Sequence, residues 1–222
     1  MSAVQLARPW LSFDLGQEMQ VLSWAINRPG FVRADRIIWR EVRNADLPED
    51  LDVQDWFARE LQAQGETASV AFLTSRDVSR FTQARRQAGD ISAHCVATVG
   101  LSNAERVGQR VDRQGQVWGT INIAVRLDHG LSQTGLIEAL SIATEARTAA
   151  VMDGGVQLPS GLATGTGTDC IAVAAPAGAT DYAGLHTQLG EALGAAVYAA
   201  TRAGTLAWLA QYGAARMVAP LG

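Results

Sequence analysis

The chain has 222 residues, of which 48% are hydrophobic and 18% charged, with a formal net charge of -4; this excludes a disordered or fibrous polymer and argues against a broad basic surface for nucleic acid. All 18 basic side chains are arginine, and without lysine neither a Schiff-base mechanism nor a phosphate-binding P-loop is available. No apolar run reaches the roughly 18 to 20 residues of a membrane span, Met1 to Pro9 carries no secretory pattern, and Cys95 and Cys170 form no C-x-x-C pair, so a cytoplasmic protein with no membrane association is expected.

A chain of this length can bury a core without disulfides or structural metal, and one domain over residues 1–222 is expected. Runs at Trp10 to Leu15, Gln20 to Ile26 and Arg36 to Val42, with the turn signal Asn27-Arg28-Pro29-Gly30 before the last, predict a meander of strands. Arg33, Arg36, Arg40 and Arg43 along it suggest an edge or a solvated face. Asp52 is a plausible cap for a helix carrying Trp56, Phe57 and Leu61. Ser69 to Thr74 predicts a buried strand, Arg76 to Arg86 a helix with its arginines in water, and Ser92 to Gly100 a further strand.

A polar loop, Leu101 to Gly108, then leads on to the alternating, β-branched strand Gly119 to Val125. A long helix from Ser132 presents Leu136, Ala139, Leu140, Ala143, Ala146 and Ala150 on one face. The pattern then recurs: Gly165-Thr166-Gly167-Thr168-Asp169 opens the strand Cys170 to Ala175, and Tyr182 to Arg202 predicts a second long helix. Two strand and helix units in succession suggest an internal repeat of about fifty residues. The expected fold is a single α/β domain with a mixed sheet, an N-terminal strand meander and two C-terminal strand-helix units.

Among groups that could carry chemistry, the Ala163 to Asp169 loop could cradle an anion on its amides and hydroxyls, although a plain glycine turn fits its composition as well. It is no dinucleotide fingerprint, because Cys170 stands where a third glycine belongs and a strand follows. Glu145, among alanines, would have the raised pKa of a general acid or base if desolvated; the alternative is a helix salt bridge, which Arg147, two residues on, does not supply. His186 is expected in the first turns of the second helix, where the dipole favours the neutral base, although a lone histidine is more often a packing residue. No His, Cys or carboxylate spacing matches a zinc site, and Ser102 lacks the closing glycine of a nucleophile elbow.

Taken together, Ser102-Asn103-Ala104 with Gly108, Gly119 to Ile123, Ala143 to Thr148, Ala163 to Asp169 and Tyr182 to Thr187, followed by Leu189-Gly190-Glu191 and Ala196-Val197-Tyr198, resemble the ordered motifs of the adenosylcobinamide amidohydrolase family. The resemblance is dense from about Val99 to Ala200. It implies removal of aminopropanol from adenosylcobinamide, leaving adenosylcobyric acid for cobalamin synthesis. The substrate is a corrinoid whose cobalt arrives inside the macrocycle, so no protein-bound metal or other cofactor is implied. The family commonly has lysine where Leu185 and Arg147 stand; Arg147 keeps the charge and Leu185 does not.

Amide hydrolysis needs a base for water, donors for the oxyanion and an acid for the leaving amine. The expected assignment is Glu145 and His186 as base and acid, with amides and hydroxyls of Thr164, Gly165, Thr166, Gly167 and Thr168 as oxyanion donors. Asn122 and Asp169 would orient the substrate amide or the water, with Asn103 beside the substrate. The competing readings are a self-processing amidohydrolase with a threonine nucleophile, a non-catalytic corrinoid carrier, and a related amidohydrolase preferring complete corrinoids. Homo-oligomer formation stays open.

Overall fold

A computed structural model describes residues 3–43, 46–48, 50–109 and 119–213. The N-terminal strands are β1 (Val4–Ala7), β2 (Trp10–Ser23) and β3 (Gly30–Glu41). The two runs expected as separate strands before Asn27 are one strand, β2, bent where its register against β3 shifts between Asp14 and Met19. Gly16 sits at that bulge with φ +79°, a conformation that L side chains rarely adopt.

Helix α1 (Val53–Gln64) starts as expected at Asp52, whose side chain accepts from the Asp55 amide, and it ends at Gly65 in the left-handed region. Strand β4 (Val70–Thr74) follows. The expected helix over Arg76 to Arg86 is absent: a single 3-10 turn, Val78–Arg80, leads into strand β5 (Thr82–Ala88), which pairs antiparallel with β6 (Ile91–Val99). β5 lies at the end of the sheet, where polar and arginine side chains blunt the exposed edge. Arg76, expected in water, is buried over the Tyr212 ring.

The remaining elements are β7 (Ala104–Glu105), β8 (Ile121–Leu127), α2 (Gln133–Asp153), β9 (Gln157–Leu158), β10 (Gly161–Leu162), β11 (Gly165–Thr166), β12 (Cys170–Ala175) and α3 (Gln188–Tyr212). Ser132 caps α2. The second long helix starts later than expected because Thr187, not a residue near Tyr182, caps it by accepting from the Gly190 amide.

The main sheet runs β4-β3-β2-β12-β8-β6-β5, with β1 along the first half of β2 and β12 along its second half. β8 and β12 are parallel, as the two successive strand-helix units require, and the sheet is mixed. β3 is therefore internal rather than an edge, and its arginines are paired: Arg33 with Glu18, Arg36 with Glu66 and Arg40 with Glu60.

Alternation along the strands divides the core into layers. Ile121, Ile123, Val125 and Leu127 of β8 and Ile171 and Val173 of β12 face α2 and α3. Ile38 and Ala71 pack against Phe57 and Leu61 of α1. The opposite face gathers Phe13, Trp39, Phe72, Val96, Ala124 and Ala172, from strands spread across the sheet, into one cluster. The sheet must curl to bring these together, and Asn122 of β8 reaches across to donate to the Leu73 carbonyl of β4 (2.7 Å). The Asn27 side chain closes the same side, donating to the Ser69 carbonyl and accepting from the Ala71 amide on the outer edge of β4.

Candidate active site

At one end of the curled sheet a cleft of about 1030 Å³ opens, large enough for a bulky small molecule. One side is formed by Trp24 and Ile26 from the β2–β3 turn with Leu47 and Pro48, another by Ala71 to Ser75, and the polar end by Gly119, Thr120, Asn122, Gly167, Thr168 and Asp169. That polar end is where the two expected repeat units meet, because parallel pairing sets Cys170 beside Asn122. Corresponding threonines 48 residues apart are cross-bonded: the Thr120 hydroxyl donates to the Thr168 carbonyl (2.7 Å) and the Thr168 hydroxyl to the Gly119 carbonyl (2.8 Å).

Asp169 holds this corner together. Its carboxylate accepts from the Ile121 amide (3.2 Å), the Thr166 amide (3.0 Å), the Thr166 hydroxyl and Arg147 of α2. The ion pair with Arg147 is almost enclosed, with side-chain exposures of 13% and 6%. Burial pushes the Asp169 carboxyl above the ordinary carboxylate range, opposed by Arg147 and by the Thr166 donors. Gly165 makes the pair geometrically possible, since a methyl there would overlap the guanidinium and the Asp169 Oδ2.

Four donors fill the roughly four lone-pair sites of a carboxylate, so Asp169 has the geometry of an anchor rather than of a base with a free lone pair. The nearby hydroxyls are committed too. Thr164 donates to the Glu105 carbonyl and accepts from the Val107 amide, Thr166 donates to Asp169, and Thr168 donates to Gly119. Asn103 is buried, with Nδ2 towards the Thr168 hydroxyl (3.4 Å) and Oδ1 lacking a protein partner among the described residues. Gly167 is exposed, and among the described residues beyond its chain neighbours only Asn103 Nδ2 comes within 4 Å of where its Cβ would lie. A ligand can approach the backbone there.

The structure does not bring the other two expected residues to this corner. Glu145 is exposed on α2; buried Ala143 lies two residues before it, about 200° round the helix, so the alanines flank the inward face while the carboxylate meets water. His186 is exposed in the loop before α3 rather than in the first turns of that helix. That loop is tied to α2 through the Ala183 amide and Glu138 (2.6 Å). Arg147, at the level of Asp169, is nine residues further along the helix, about 14 Å at 1.5 Å per residue.

Arg147 and Trp24 were missed from the sequence as parts of the site. Trp24 donates from Nε1 to the Asp169 carbonyl (2.8 Å), and the nearest sequence signal was an aromatic at the end of an apolar strand just before a turn. Cys170 also lines the cleft, but burial pushes its thiol up to about 12, which keeps it protonated at neutral pH. Among the described residues no three His, Cys, Asp or Glu side chains gather at metal-binding distance, and no helix is long and apolar enough to cross a membrane.

A family model described as adenosylcobinamide amidohydrolase matches residues 2–213. No curated protein matches the chain.

Proposed function

This chain belongs to the adenosylcobinamide amidohydrolase family, hydrolases acting on an amide bond, and we propose that it cuts the aminopropanol amide of adenosylcobinamide at the Asp169 end of the cleft. Water adds to the amide carbonyl carbon, the C–N bond breaks, and the nitrogen leaves with a proton as 1-amino-2-propanol. The other product is adenosylcobyric acid, which can re-enter cobalamin synthesis.

The observation that carries this reading is the Gly167–Thr168 turn, held over a large cleft by the saturated Asp169 carboxylate. With the hydroxyls of Thr164, Thr166 and Thr168 already donating inside the protein, the donors left for an oxyanion are main-chain amides, those of Gly167 and Thr168. Such donors act without reorganising, and each is worth roughly 10²- to 10³-fold in turnover. Asp169 and Arg147 position the turn, and Asn103 and Asn122 fix the strands on either side of it. Glu145 and His186 lie outside this arrangement.

Incubating the purified chain with adenosylcobinamide and following both products by mass spectrometry tests the proposal. Equimolar adenosylcobyric acid and aminopropanol are expected. Tight binding of cobinamide with no aminopropanol released would identify a corrinoid carrier instead, and intact mass showing two fragments split before a threonine would identify a self-processing nucleophile.

A further inference from the structure

Trp24 directly follows β2, yet it is 45% exposed at the rim of the cleft, and Ile26, two residues on, is 40% exposed. Packing of the core accounts for neither. The indole is not loose: its hydrogen bond to the Asp169 carbonyl fixes the ring against the segment that carries the proposed oxyanion donors. An aromatic with few rotatable bonds that is already pinned loses little entropy when a ligand packs on it.

The cleft is therefore divided, with Trp24, Ile26, Leu47 and Pro48 on its apolar side and Thr120, Asn122, Thr168 and Asp169 at its polar end. A substrate matching both is a broad ring with apolar faces and polar amide arms at its rim. A corrin macrocycle has this form, and packing its face on the indole would direct one side arm to the Gly167–Thr168 turn. We propose that Trp24 is the platform for the corrin face and thereby a residue that sets specificity for a corrinoid over a simple amide. This rests on the function proposed above and adds to it where the ring lies.

Aromatic stacking together with apolar area makes the loss of such a platform worth about tenfold in affinity. In full-length protein, Trp24→Ala should weaken cyanocobinamide binding measured by calorimetry about tenfold and raise KM for adenosylcobinamide by a similar factor, with kcat within about threefold. Trp24→Phe, which keeps an aromatic face and loses the N–H bond and part of the ring area, should bind within about threefold of the unmodified chain. Unchanged binding and KM in Trp24→Ala would overturn the proposal, as would an equal loss in Trp24→Phe, which would show that an aromatic face at this position does not carry the binding. If the unmodified chain hydrolyses adenosylcobinamide and Trp24→Ala does so with the same KM, only the platform fails; if the unmodified chain neither binds nor hydrolyses a corrinoid, the proposed function fails with it.

Discussion

Replacing Gly165 by alanine should break the Arg147–Asp169 pair from a distance of one methyl group. The added Cβ would overlap Arg147 Nη1 and Asp169 Oδ2; the arginine end is the more easily displaced, and it would swing towards solvent. Removing one partner of a buried pair costs about 3–5 kcal/mol. Here Asp169 keeps the Ile121 and Thr166 donors, and Arg147 regains water, so about 2–3 kcal/mol is expected, or roughly 5–10 °C in Tm for a chain of this size. Urea unfolding of Gly165→Ala, Arg147→Met and the double variant measures it. Because both substitutions remove the same interaction, the double variant should fall short of the sum by at least about 1 kcal/mol. Costs that add to within about 0.5 kcal/mol would refute the role assigned to Gly165.

Burial, reinforced by Arg85 and Arg126, lowers His94 to about 4; the unfolded chain then binds the extra proton between pH 6.5 and 4, so stability should fall on acidification through that window and His94→Leu should flatten the fall in a series of thermal melts. Cys170→Ser should keep turnover within about threefold, and iodoacetamide at pH 7 should label Cys170 slowly, because a thiol held near 12 is a poor nucleophile; rapid labelling with loss of activity would contradict this. Glu145→Gln should leave both kcat and Tm close to the unmodified values, since the residue is exposed on α2; a hundredfold loss of kcat would place it in the machinery after all.

Much of the fold is legible in the sequence because period and caps are local properties. The β-branched run of β8, the Asp52 and Ser132 caps and the glycine-threonine entry to β12 all lie where residue pattern alone puts them. Patterning failed at Thr82–Ala88, where polar side chains on an edge strand imitate a solvated helix. It also failed at Gly16, where a bulge lets one strand continue through what reads as two separate runs.

The site was harder to read, because what defines it is contact across 22 to 145 residues of sequence. Asp169 was found from its loop, but its partner Arg147 is selected by the way α2 lies over β11, and Trp24 by the curl of the sheet. Glu145 and His186 drew notice as titratable groups near recognisable motifs, while burial and distance, which decide whether such groups meet, are properties of the packed chain. The bonds of Thr120 and Thr168 join the two strand-helix units across their parallel register and build the floor of the cleft.

The most direct test of where the amide is cut is aminopropanol release per enzyme in two variants assayed side by side, Asp169→Asn and His186→Ala. The account predicts at least a hundredfold loss of kcat in Asp169→Asn, as the turn bearing the oxyanion donors loses its anchor, and near-normal turnover in His186→Ala. Loss of turnover in His186→Ala, with Asp169→Asn remaining within a few-fold of the unmodified chain, would contradict it and move the chemistry to the other end of β12.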